Sequence, residues 1–139
     1  MEYVYLMLQI LFALGTVFFK TNDRYLVECD KCYKQYLIVE LITQSLCFVA
    51  NCVLIFVLKE FMVYVLIIHI TLMSLILILY SLKAKKIYFN ELTDLIKEND
   101  LLFADAEEIR RILLNKYERL FFIDDIKKCL QKINKISPQ

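Results

Sequence analysis

Three long apolar runs dominate the chain. The first covers residues 3–19 and is broken by Gln9, Gly15 and Thr16. The second, 37–58, contains Glu40, Gln44 and Asn51. The third, 61–82, has His69 as its one ionisable group besides tyrosines. A helix rises about 1.5 Å per residue, so roughly 20 residues cross a hydrocarbon core of about 30 Å. The second and third runs are long enough, and the first is marginal at about 17 residues. In lipid every backbone amide needs an internal partner, so each run is expected to be a helix. The first run lacks a basic n-region, Glu2 being the one charged residue before it, and Phe18, Phe19 and Lys20 make a poor cleavage context, so a retained helix is expected rather than a signal peptide.

Residues 87–139 follow a different pattern. Asp105 with Glu108 three residues on reads as an N-cap of the capping-box type. Beyond it Ile109, Ile112, Leu113, Tyr117, Leu120 and Phe121 recur at helical spacing. A second stripe, Ile126, Cys129, Leu130, Ile133 and Ile136, follows Asp124 and Asp125, which are placed to start its helix. Leu92, Leu95 and Ile96 suggest a shorter helix before both. The expected fold class is an all-α membrane protein: three transmembrane helices in 1–86, with an inner loop at 20–36, then a small soluble helical hairpin in 87–139. So short a tail makes a marginal core alone, and packing on the membrane helices or on a partner is expected.

Composition sharpens this picture. Hydrophobic residues make up 60% and charged residues 24% of 139, so the apolar excess is segregated from the charges. One Gly and one Pro leave little turn chemistry for an all-β fold and no phosphate-cradling loop. A net charge of +1 excludes a strongly basic nucleic-acid binder. Lys20, Arg24, Lys31 and Lys34 fall between the first two runs, and Lys83, Lys85 and Lys86 directly follow the third. Near the membrane on the other side are Glu2, Lys59 and Glu60. The positive-inside rule therefore expects the N-terminus outside and the tail inside, in a mitochondrial inner membrane or a bacterial-type plasma membrane. The short Lys59-Glu60 connection expects an antiparallel hairpin of the second and third spans.

Polar residues inside the spans are the candidate site. Glu40, Gln44, Cys47 and Asn51 follow at steps of four, three and four, so they share one helix face. Folding the hairpin brings Asn51 to the level of His69, and Glu40 to that of Tyr80. Glu40, Gln44, Asn51, His69 and Tyr80 thus form a candidate proton-relay track. For Glu40 three readings stand at this point: a snorkelling interfacial carboxylate, a relay carboxylate facing protein, or a structural hydrogen bond to a neighbouring helix. For His69 the alternatives are a satisfied core residue and a proton carrier.

Cys29 and Cys32 have metal-ligand or redox spacing but supply only two of the four ligands zinc wants. They read as reduced loop thiols, or as a half-site completed elsewhere. No cofactor, no nucleophilic triad and no catalytic residue is expected. The candidate partner-docking residues are Ile109, Leu113, Tyr117, Ile126, Leu130 and Ile133. Expected partners are the lipid bilayer and other integral membrane subunits of a large complex, with no nucleic acid and no small-molecule substrate of its own.

The segments Ile10-Leu11-Phe12-Ala13-Leu14-Gly15, Leu37-Ile38-Val39-Glu40 and Met62-Val63-Tyr64, with the basic residues after the third span, carry a family likeness. Over residues 1–86 the chain resembles chain 4L of the proton-pumping NADH:ubiquinone oxidoreductase. Tyr25-Leu26-Val27-Glu28-Cys29-Asp30 is similar instead to a loop of chain 3 of the same complex. The resemblance implies a membrane-arm subunit of a respiratory complex, with Glu40 helping to carry protons and no electron transfer of its own. Three departures stand out: Ser74 or its neighbours lie where chain 4L has a third-span glutamate, the inner loop is longer, and the helical tail is extra. Two other classes remain open: a non-catalytic membrane adaptor or accessory subunit of another large complex, and a small homo-oligomeric ion pore.

Overall fold

The computed structural model describes residues 2–57 and 61–136. It is all-helical, with no strand among the described residues. The chain forms α1 (Glu2–Asn22), α2 (Arg24–Glu28), α3 (Asp30–Val57), α4 (Met62–Glu98), α5 (Ala106–Tyr117) and α6 (Ile123–Ile136), with a 3-10 turn at Leu101–Phe103. It divides into two compact units, Met1–Lys85 and Lys86–Gln139.

Three helices, α1, α3 and α4, are long and apolar enough to cross a membrane. That is compatible with an integral membrane protein. Much of their exposed surface is apolar, with Leu11, Leu14, Leu41, Leu46, Ile68 and Leu79 each more than half exposed. In a bilayer such a surface is solvated by acyl chains, so the apolar residues do not need burial against protein.

The expected inner loop at 20–36 is corrected: nearly all of it is helical. α1 runs on through Lys20 to Asn22, α2 occupies Arg24–Glu28, and α3 starts at Asp30. The reason is local. No Gly or Pro lies between Gly15 and Pro138, and short polar side chains supply the caps. Asp23 caps α2 by accepting from the backbone N–H groups of Tyr25 and Leu26, both at 3.1 Å. Cys29 then closes α2, and its carbonyl accepts from Tyr33 N–H at 2.8 Å. Asp30 in the first turn of α3 pairs with Lys34 at 2.7 Å. A packed cluster results, with Leu26, Cys32, Tyr36 and Ala84 fully buried and Tyr25, Tyr33 and Tyr80 against them.

The third apolar helix does not stop at residue 82. α4 continues to Glu98, so Leu92, Leu95 and Ile96 belong to its last turns rather than to a separate helix. Its buried positions, Met62, Leu66, His69, Met73, Ala84, Tyr88, Leu92 and Ile96, recur at steps that keep one face inward. It ends where Asp100 takes a left-handed conformation, φ 53°, which Asp tolerates better than most residues.

In the second unit the expected cap is present. Asp105 accepts from Glu108 N–H at 2.7 Å, and α5 begins at Ala106. α5 stops when Glu118 enters the left-handed region at φ 54° and its N–H bonds Leu114 O. α5 packs on α6. Ile109, Leu113, Phe121, Ile126 and Cys129 are buried to within about 1%. The Tyr88 and Phe121 rings lie 5.4 Å apart, and Arg119 pairs with Glu91.

Candidate functional site

Polar side chains from α1, α3 and α4 meet inside the first unit in two groups. The first is centred on Glu40, which is 4% exposed. One carboxylate oxygen, Oε2, accepts from Lys20 Nζ at 2.7 Å. The other, Oε1, accepts from the Thr16 hydroxyl at 2.8 Å and from Gln44 Nε2 at 3.2 Å. Gln44 Nε2 also lies 3.2 Å from Thr16 Oγ1. Lys20 is 8% and Thr16 5% exposed. Glu40 is therefore turned towards α1 and buried against it.

The second group centres on Gln9. Asn51 Nδ2 donates to Gln9 Oε1 at 2.8 Å, and Gln9 Nε2 lies 3.4 Å from His69 Nδ1. An amide nitrogen can only donate, so Nδ1 is the acceptor here and a neutral His69 carries its proton on Nε2. All three side chains are buried to 3% or less. The ring of Phe12 stands edge-on to His69 at 5.4 Å between centroids. Asn51 Oδ1 and His69 Nε2, the two ends of this chain, have no protein partner.

The pairing follows from helix register. On α1, Thr16 lies seven residues after Gln9 and Lys20 four after Thr16; on α3, Gln44 lies four after Glu40 and Asn51 seven after Gln44. The spacings are mirror images. Both seven and four residues are close to whole helical turns, so each set keeps one face, and antiparallel packing matches them member by member.

Of the expected track, Glu40 and Gln44 come together directly, while Asn51 and His69 are joined through Gln9. Tyr80 belongs elsewhere: its ring stands edge-on to Tyr36 at 5.9 Å, in the cluster beside α2. Cys47 on the same α3 face is only partly buried. Gln9, Thr16 and Lys20 were not among the expected site residues. Lys20 in particular reads in sequence as a loop charge, and its place inside depends on α1 continuing past Phe19. The mirrored spacing is the sequence signal that identifies all three. The connection at Lys59-Glu60 lies outside the described residues.

The expected docking residues divide. Ile109, Leu113 and Ile126 are fully buried in the second unit, so they are core and not a docking surface. Leu130 and Ile133 are partly buried, and Tyr117 is 37% exposed with its hydroxyl 3.2 Å from Asn99 Nδ2. Cys29 is partly exposed and Cys32 buried, and among the described residues no group of three or more His, Cys, Asp or Glu is placed to hold a metal ion.

No family model matches the chain, and neither a curated protein nor a solved structure is detectably similar to it.

Chemically, the Glu40 group is a carboxylate and an ammonium held in contact, away from water. Each charge alone costs about 2.5–3.5 kcal/mol at the centre of a membrane helix on insertion scales, and pairing cancels the net charge. An ionisable pair of this kind marks an ion or proton pathway, or a helix–helix lock.

Proposed function

We propose that this chain is a non-catalytic integral membrane subunit of a multi-subunit respiratory NADH:quinone oxidoreductase, and that its buried polar groups serve proton translocation. The observation that carries this reading is Glu40, buried and held by Lys20, Thr16 and Gln44. The Lys20 ammonium donates to the Glu40 carboxylate across 2.7 Å, so the pair offers a direct path for a proton from nitrogen to oxygen. The short segments shared with chain 4L point to the same class of subunit. Ser74, in the region of that family's third-span glutamate, is exposed and donates to Ile70 O at 2.8 Å. His69 is then the ionisable contribution of the apolar run 61–82 besides tyrosines. In this reading the N-terminus faces outside and the second unit inside, electron transfer takes place in other subunits, and the chain binds no cofactor.

The test is native electrophoresis of mildly solubilised source membranes with an in-gel NADH-dehydrogenase stain. Co-migration with a very large active band is expected, and Glu40→Gln is expected to lower coupled proton transport with assembly intact. Migration as a small oligomer away from that band would overturn the assignment.

A second reading, a membrane adaptor, is favoured by one feature of the second unit. Phe103, on the turn after α4, is 91% exposed, and Leu114 and Leu120 are 40% and 48% exposed. An adaptor would bind its partner through these residues, and Phe103→Ser with Leu120→Ser would abolish that binding without affecting membrane insertion.

A further inference from the structure

At the α2 end of the first unit the packing gathers cations. Ala84 of α4 is fully buried in the cluster with Leu26, Cys32 and Tyr36, so the lysines beside it are carried to α2 and α3. Lys83 reaches α3 and donates to Gln35 Oε1 at 3.1 Å. Lys85 reaches α2, where its Nζ stands 5.5 Å from the centre of the Tyr25 ring. Arg24 is drawn to the same ring: its Cζ is 4.7 Å from the centre, and its guanidinium donates to the Tyr25 hydroxyl at 2.6 Å. Two like charges, both on exposed residues, are thus held at one aromatic ring.

The neighbouring carboxylates do not offset them. Residues 23–34 and 83–85 carry five cations and three carboxylates, so this end is net positive. Asp23 is engaged by the backbone N–H groups of Tyr25 and Leu26, and Asp30 by Lys34, while Glu28 lies one turn after Arg24.

The α4 surface leading to Lys85 is apolar. Leu82 and Ile78 precede Lys85 by three and seven residues, so the three share a face, and the two are 59% and 55% exposed. Leu82 is also the last residue of the apolar run 61–82. One face of α4 therefore passes from exposed apolar side chains to a pair of cations within a turn. That order matches an amphiphile with an anionic head. A free anion would gain nothing from Ile78 and Leu82.

We propose that Arg24 and Lys85, held at the Tyr25 ring, bind the headgroup of an anionic phospholipid whose acyl chain lies along Leu82 and Ile78. A zwitterionic headgroup carries its own cation and is the weaker ligand. The site rests on the membrane part of the function proposed above and not on the respiratory assignment.

The experiment uses the full chain in phosphatidylcholine bilayers with spin-labelled phosphatidylglycerol or spin-labelled phosphatidylcholine. The motionally restricted fraction in the electron spin resonance spectrum gives the relative association of each lipid. A several-fold preference of the native chain for phosphatidylglycerol is expected. A basic residue at an anionic lipid surface is worth about fivefold in affinity, so Lys85→Gln should remove most of the preference and Lys85→Arg should keep it. Lys34→Gln makes the same change in charge at a lysine paired with Asp30, and should leave the preference within about twofold. No preference in the native chain would overturn the proposal, whatever the variants do. Equal losses in Lys34→Gln and Lys85→Gln would overturn it too, because the attraction would then be diffuse surface charge. Displacement of the phosphatidylglycerol label by inorganic phosphate, beyond that by chloride at equal ionic strength, would assign the cations to a soluble anion. No restricted signal from either label would sink the membrane reading along with the site. Migration as a small oligomer in native electrophoresis would remove the respiratory assignment and leave the lipid site standing.

Discussion

Lys20 Nζ lies 2.7 Å from Glu40 Oε2, with the two side chains 10% and 6% exposed. This ion pair joins the last turns of α1 to α3. It also explains how a carboxylate and an ammonium are both accommodated away from water between helices.

Breaking the pair from one side leaves an uncompensated buried charge. Lys20→Met is expected to destabilise the first unit by about 3–5 kcal/mol, as is typical when one partner of a buried pair is removed. The double variant Lys20→Met with Glu40→Leu should recover most of that loss, because replacing both charges removes both desolvation costs. Unfolding in bicelles with the two singles and the double measures the coupling. Additive losses would mean that the two groups are not paired.

Gln9 holds Asn51 and His69 through its two amide ends. Gln9→Leu should cost about 0.6–1.7 kcal/mol per bond, the range measured for hydrogen bonds between membrane helices. The same variant frees Nδ1, so the imidazole ¹⁵N spectrum should change from a single Nε2–H tautomer to a mixture. A stable variant with an unchanged tautomer would remove Gln9 as the orienting group.

The second unit has its own core, so its variants should act separately. Leu113→Ala, at a fully buried site, is expected to cost about 2–5 kcal/mol. Asp105→Ala should cost about 0.5–2 kcal/mol through the lost N-cap bond. Hydrogen exchange of α5 amides reads both. Phe103→Ser, on an exposed side chain, should stay within about 0.5 kcal/mol of native.

Cys129 gives a pH dependence. Burial pushes its thiol above the ordinary value of 9.0, while its contact with Thr93 and the charges of Lys132 and Lys97 pull partly the other way. The folded state therefore holds the proton more tightly than the unfolded chain. Its contribution to stability is fully present below about pH 9 and is lost as pH rises from there through the folded value. Cys129→Ser should flatten stability between pH 9 and higher values, and the native thiol should resist alkylation at pH 8. Prompt alkylation of folded protein at that pH would contradict the burial.

Helix content was legible along most of the chain because its causes are local. Apolar runs of membrane-crossing length, the scarcity of Gly and Pro, and Asp105 three residues before Glu108 each act within a few turns. Residues 20–36 were misread because charged and polar residues resemble a loop in sequence, whereas Asp23 and Asp30 support helices there. The candidate site was half legible. Glu40, Gln44 and Asn51 are periodic on one helix, but Lys20 looks like an interfacial charge until α3 is packed beside it.

By itself the sequence determined three helices long and apolar enough to cross a membrane, the caps of the tail helices, and one polar face on α3. These depend on propensity, length and period, which are properties of single segments. Only the tertiary structure decided that Gln9, Thr16 and Lys20 face that stripe, that Tyr80 joins Tyr36 instead, and that Ile109, Leu113 and Ile126 are core. Those outcomes depend on register between helices distant in sequence. Register is set by which polar groups must find partners once water is excluded.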